Sequence, residues 1–224
     1  MAERSAVVSG VGATRGLGAA IARRFAREGF RVTVMGRSAE KIQAALADLR
    51  AAGAVAEAVV GDVTDEALVR RVVSEADRPD APLEAAIFNA GGNWPKAFRD
   101  MDGEFLESMW RVNALAGFFF AKAALDVMLP RRRGVIIFTG ASGSLRGKAM
   151  FGGFAQGKAA LRALAQSAAR EFASQGIHVA HVIIDGAIDG DRINTFLPAP
   201  KGERGADGLL DPDAIADNYW SIFR

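Results

Sequence analysis

The chain reads as an α/β protein, a parallel sheet doubly wound with helices on both faces. Three observations lead there. Short Val- and Ile-rich runs alternate with long Ala-rich helical stretches along the chain. Runs such as Val135-Ile136-Ile137-Phe138 are apolar at every position, as strands covered on both faces must be. The first run also leads through spaced glycines directly into a helix. In order, the strands are expected at Ala6–Ser9, Arg31–Met35, Val55–Gly61, Ala85–Asn89, Gly134–Thr139 and His178–Ile184. Helices are expected at Leu17–Glu28, Ala39–Ala51, Asp65–Glu75, Asp102–Met128 and Phe154–Ser174. Beyond Gly186 the pattern turns loop-like, and a last helix starts near Asp211-Pro212, with Asp as N-cap and Pro in the first turn.

With 224 residues, 50% of them apolar, the chain suits one domain over residues 1–224. It has no cysteine, which excludes disulfide and thiolate chemistry and fits a reducing, cytoplasmic setting. A net charge of +2 gives no nucleic-acid footprint, although the pI of 9.2 is basic. The cationic run Arg131-Arg132-Arg133 reads as a solvated loop or helix end. Its longest apolar run, Ala114–Leu125, is too short for a bilayer and contains Lys122, so no membrane partner is expected. His178 and His181 read as structural residues on one face of a strand, and no metal site is expected.

In Gly10-Val11-Gly12-Ala13-Thr14-Arg15-Gly16-Leu17-Gly18 the spacing Gly-x-Gly-x-x-Gly fails, because Arg15 takes its third position. The spacing Gly-x-x-x-Gly-x-Gly fits at Gly12, Gly16 and Gly18. Such glycines allow positive φ and let the backbone, here including Thr14 and Leu17, approach a pyrophosphate at a helix N-terminus. A dinucleotide is therefore the expected ligand. Where an NAD site carries an acid for the ribose 2′-hydroxyl, the chain has Gly36-Arg37-Ser38. Arg37, with Arg15 opposite, pairs with a 2′-phosphate, so NADP(H) is preferred over NAD(H).

With these motifs the chain resembles the short-chain dehydrogenase/reductase family over nearly its whole length. The resemblance implies a Rossmann-type doubly wound parallel sheet of six to seven strands. Its glycine turn is Gly12, Gly16 and Gly18. Asp62-Val63 matches the acidic position that faces the adenine, and Asn89-Ala90-Gly91 the motif beside the adenosine ribose. Asn113 matches the helical Asn of the catalytic tetrad, and Lys158 its lysine, which holds the ribose. The family serine, counted back from residue 154, falls on Ala141 with Ser142 beside it; Ser142 is the candidate and Ser144 a poorer one. Where the family carries its general acid/base tyrosine, this chain has Phe154.

The resemblance also implies Pro-Gly after the last of the six strands, followed by a residue touching the nicotinamide amide. Here the segment is Asp185-Gly186-Ala187-Ile188-Asp189, with Gly186 and Ile188 at the cofactor-facing positions. Asp185 or Asp189 would shuttle protons or cap the next element. Residues 189–210 would form the substrate loop, and Tyr219 would pack beside Trp220. One more strand is implied after the last helix, so ending at Arg224 implies a shortened sheet edge or an incomplete chain. The function implied is NADP(H)-dependent hydride transfer on a small-molecule carbonyl or alcohol with atypical acid/base chemistry, by a homodimer or homotetramer. The alternative is a non-catalytic NADP(H)-binding protein.

Overall fold

The computed structural model describes residues 3–191, 193 and 208–224. Six strands form one parallel sheet: β1 (Ser5–Ser9), β2 (Arg31–Gly36), β3 (Ala56–Val60), β4 (Leu83–Phe88), β5 (Gly134–Ala141) and β6 (Ile177–Ile184). Their spatial order is β3-β2-β1-β4-β5-β6, and every neighbouring pair is parallel. The apolar strands explain this choice, since β1 is buried at all five positions and β5 at seven of eight. One core lies between the sheet and α1 (Leu17–Arg27) and α2 (Ala39–Ala51), joined by Ala216 and Tyr219 of the last helix. The other lies beneath α3 (Glu66–Ala76), α5 (Ala116–Met128) and α6 (Gly152–Phe172). The chain order reverses between β1 and β4, and a crevice opens beyond the carboxyl ends of strands at such a switch point.

Sequence-based boundaries fall within two residues of these elements, with one exception. The helix expected over Asp102–Met128 is divided into α4 (Gly103–Trp110), a π-helical turn Arg111–Leu115, and α5. The Ala116 N–H donates five residues back to the Arg111 carbonyl. The continuous helical stretch Gly103–Arg131 has an 18-residue window of mean hydropathy 1.5. By length and composition alone that stretch could cross a bilayer, contrary to the expectation from the sequence; half of the window is buried inside the fold. The last helix, α7 (Pro212–Phe223), starts after Asp211, whose carboxylate accepts from Asp213 N. It lies on α1 through Arg23–Asp213 and Arg24–Asp217 ion pairs, with Trp220 and Phe223 edge-on to Phe25.

One expectation is corrected. His181 lies three positions after His178, so on a strand of period two they face opposite sides; His178 is exposed, while His181 points toward the β5–α6 loop. Asp185 and Asp189 form ion pairs with Arg146 and Arg15. The arginine run is exposed at a helix end, as expected, with Arg131 paired to Asp77, Arg133 to Glu84, and Arg132 donating to the Ser174 carbonyl.

Candidate active site

The glycine turn leaves β1 at Gly10, whose φ of +73° only glycine adopts easily, and a Cβ there would lie 2.3 Å from Ala90 N. Gly12, Gly16 and Gly18, assigned by spacing, all have negative or extended φ, so the left-handed residue of the turn is Gly10 instead. Gly12 faces open space, whereas Gly18 packs against Gly10 O, Val11 and Asn89. Thr14 is held by Arg23, which donates to its carbonyl at 2.8 Å. Side chains of Ser38, Asp65, Asp102 and Asp211 cap α2, α3, α4 and α7, but α1 starts after Gly16 with no side-chain cap and no acid in its first turn. Its first amides and positive dipole end face the space beside Gly12, an arrangement that can cradle a pyrophosphate.

Asn89 follows β4 and donates from Nδ2 to the Gly10 carbonyl at 3.0 Å, tying the β4 loop to the turn. Ala90 is buried, and Gly91 makes room for two polar side chains: a Cβ there would lie 2.9 Å from Asn113 Oδ1 and 3.1 Å from Lys158 Nζ. The π-helical turn sets Asn113, which donates from Nδ2 to the Met109 and Gly92 carbonyls and accepts from Gly92 N. Gly157 of α6 lets that helix approach, since a Cβ there would meet Asn113 Cβ at 2.8 Å. Lys158 is buried and donates to the Thr139 carbonyl at 2.8 Å. Burial lowers its pKa from 10.5 to about 8.

Phe154 lies one turn before Lys158, half-buried, with its ring against Gly143. Ser142 is half-buried at the start of a 3₁₀ turn. Ser144 is buried; its Oγ accepts from Ala141 N at 3.2 Å and meets His181 Nε2 at 3.4 Å. His181 is pushed down to about 4, chiefly by burial and then by the charges of Lys158 and Arg162. The His181–Ser144 contact carried no sequence signal, because the two residues come from different elements.

Arg37 follows β2, largely exposed, 4.0 Å from Asp62. Asp62 also accepts from Thr64 N and Oγ1, and neighbouring Val63 is buried. Arg15 reaches Asp189 at 3.5 Å, and its carbonyl accepts from Asp191 N. Gly186 packs on Leu210, and Ile188 pairs with Leu210 across a short bridge. Thus the segment after β6 lies against the glycine turn. Most of residues 189–210, the expected substrate loop, lie outside the described residues. Among the described residues no three His, Asp or Glu side chains gather as metal ligands.

A topological switch point, an uncapped helix N-terminus behind a glycine turn and an Asn–Lys pair beyond the strand ends define a dinucleotide-dependent oxidoreductase scaffold. The short chain dehydrogenase family model matches residues 6–195, and the chain belongs to that family. A short-chain dehydrogenase/reductase of Armillaria gallica is 31% identical over 205 residues, covering 89% of this chain and 77% of that protein. An inactive 2-(S)-hydroxypropyl-CoM dehydrogenase of Xanthobacter autotrophicus is 32% identical over 168 residues, 75% of this chain and 71% of its own. The crystal structure of a short-chain dehydrogenase from Rhodopseudomonas palustris superposes with a TM-score of 0.81 at 36% identity, covering 99% of this chain and 92% of that one.

Proposed function

We propose that the protein is an NADP(H)-dependent oxidoreductase that moves a hydride between the nicotinamide and a small carbonyl or alcohol. The uncapped start of α1 facing the open side of Gly12 carries this reading, because no other described α-helix both lacks a side-chain cap and opens from a glycine turn at the switch point. The backbone from Gly12 to Gly18, with Thr14, Arg15, Gly16 and Leu17, takes the pyrophosphate. Asp62 and Val63 border the adenine, while Asn89, Ala90 and Gly91 border its ribose. Lys158, aided by Asn113, holds the nicotinamide ribose, and Gly186 and Ile188 flank the ring. Arg37 and Arg15 select the 2′-phosphate, which must compete with Asp62 and Asp189 for them. The bound nicotinamide supplies the hydride, and the protein supplies orientation and a proton.

Phe154 has no proton to give, so the proton at the substrate oxygen comes from Ser142 or from water ordered by Asn113 and Lys158. Loss of a general acid costs about 10²–10⁴-fold in rate without abolishing turnover. Trp94, Leu145 and Met150 stand exposed on the loops after β4 and β5, and Lys96 N to the Met150 carbonyl joins those loops. Their apolar surface favours a substrate with an apolar body. We place the protein in the cytoplasm, as a homodimer or homotetramer with no nucleic-acid or membrane partner. Phe154 also favours a second reading, an NADP(H)-binding protein without turnover. The test is NADPH oxidation with a panel of ketones and aldehydes, for wild type and Phe154→Tyr. Slow wild-type turnover that rises about tenfold or more in the variant supports the enzyme. NADPH binding with no oxidation in either protein favours the non-catalytic reading.

A further inference from the structure

We infer that Tyr219 is a positioning residue for the dinucleotide site, because its buried hydroxyl orders a hydrogen-bond chain from the last helix to the glycine turn. Tyr219 is the chain's sole tyrosine, and its side chain on α7 is fully buried. Its hydroxyl lies 2.7 Å from Thr139 Oγ1, Thr139 Oγ1 lies 3.1 Å from Asn89 Oδ1, and Asn89 Nδ2 lies 3.0 Å from the Gly10 carbonyl. These four groups admit one proton order. A carbonyl only accepts, so Asn89 presents its amide N–H to Gly10 and turns Oδ1 toward Thr139. Oδ1 also only accepts, so Thr139 spends its single proton there. Thr139 Oγ1 must then accept from Tyr219.

Thr139 is the branch point of this chain. Its side chain reaches Asn89 and the glycine turn, while its carbonyl accepts from Lys158 Nζ. One phenol hydroxyl therefore steadies groups flanking both halves of the proposed cofactor. Hydrogen bonds in a dry interior polarise one another, so removing the terminal donor weakens the next bond as well. Tyr219 touches no reacting atom and acts through Thr139. The role rests on the dinucleotide-binding reading of Gly10, Asn89 and Lys158.

Tyr219→Phe removes one oxygen and keeps the ring. NADPH binding by calorimetry should weaken about three- to tenfold, the worth of one buried hydrogen bond. The Asn89 side-chain amide resonances should also shift in a ¹⁵N spectrum. Phe223→Leu on the same helix, away from the chain, should leave binding within twofold while lowering stability. In a Thr139→Val background, Tyr219→Phe should cost nothing further, because its acceptor is already gone. Wild-type protein that does not bind NADPH would remove the reading on which the role rests. Wild-type binding with an unaffected Tyr219→Phe, or additive losses in the double variant, would overturn the positioning role alone. If Tyr219→Phe does not fold, Thr139→Val tests the same link from its other end, and unchanged NADPH binding there overturns the role.

Discussion

Burying an ammonium is costly, and Lys158 makes the cost measurable. Lys158→Met keeps a flexible chain of similar length and removes the charge. The shift of the lysine from 10.5 to about 8 corresponds to about 3 kcal/mol of lost stability at pH 7. Against that gain stands the Thr139 carbonyl, which loses its donor at a cost of about 1–2 kcal/mol. The variant should therefore be more stable than wild type by about 1–2 kcal/mol at pH 7, raising Tm by about 2–8 °C for a chain of this size. The sign with pH follows from proton uptake. Between pH 8 and 10.5 the unfolded lysine holds a proton that the folded one has released, so wild-type stability rises with pH through that window. The penalty falls from about 3 kcal/mol at pH 7 to about half of that at pH 9.5, and the variant should lose its advantage there. Urea denaturation at the two pH values reads both quantities. A variant less stable than wild type at pH 7, or a gap that does not change with pH, would refute the buried-charge reasoning. NADPH binding should be lost in the same variant, since stability and ligand contact are opposed at this residue.

Gly10→Ala places a Cβ against the Ala90 amide in a left-handed conformation, so it should cost about 2–4 kcal/mol in urea denaturation and abolish NADPH binding. Arg37→Asp should reverse the cofactor preference, with NADPH affinity falling at least tenfold and NADH affinity rising, as paired calorimetric titrations would report. His181 stays neutral in the fold but takes a proton in the unfolded chain below about pH 6.5. Stability should thus fall as pH drops from 6.5 toward 4, and His181→Gln should flatten that limb in acid-denaturation curves. Burial pushes the Tyr219 phenol up, so no phenolate absorbance should appear at pH 10.5 before unfolding; the sole tyrosine makes the reading unambiguous.

Local features of the sequence were the legible ones. Uninterrupted apolar runs such as Val135–Phe138 marked covered strands, and Asp211 before Pro212 marked a helix start because capping is a matter of a few adjacent residues. The glycine spacing located the turn yet misplaced its left-handed residue. Gly10 takes that conformation because Ala90, brought over from β4, leaves no room for a side chain. The π-helical turn at Asn113 was hidden for a similar reason: residues 102–128 carry continuous helical character, and the widened turn shows only when α6 packs on it through Gly157. The ion pairs of Asp185 and Asp189 were hidden, since their partners Arg146 and Arg15 are 39 and 174 residues away. Tyr219 read as a packing residue because its partner Thr139 is 80 residues distant.

Calorimetric titration of folded wild-type protein with NADPH and with NADH probes the cradle at the start of α1 most directly. Saturable one-to-one binding of NADPH, at least tenfold tighter than NADH and lost in Gly10→Ala, is the expected result. No heat with either dinucleotide on protein that unfolds cooperatively would contradict the assignment of that crevice.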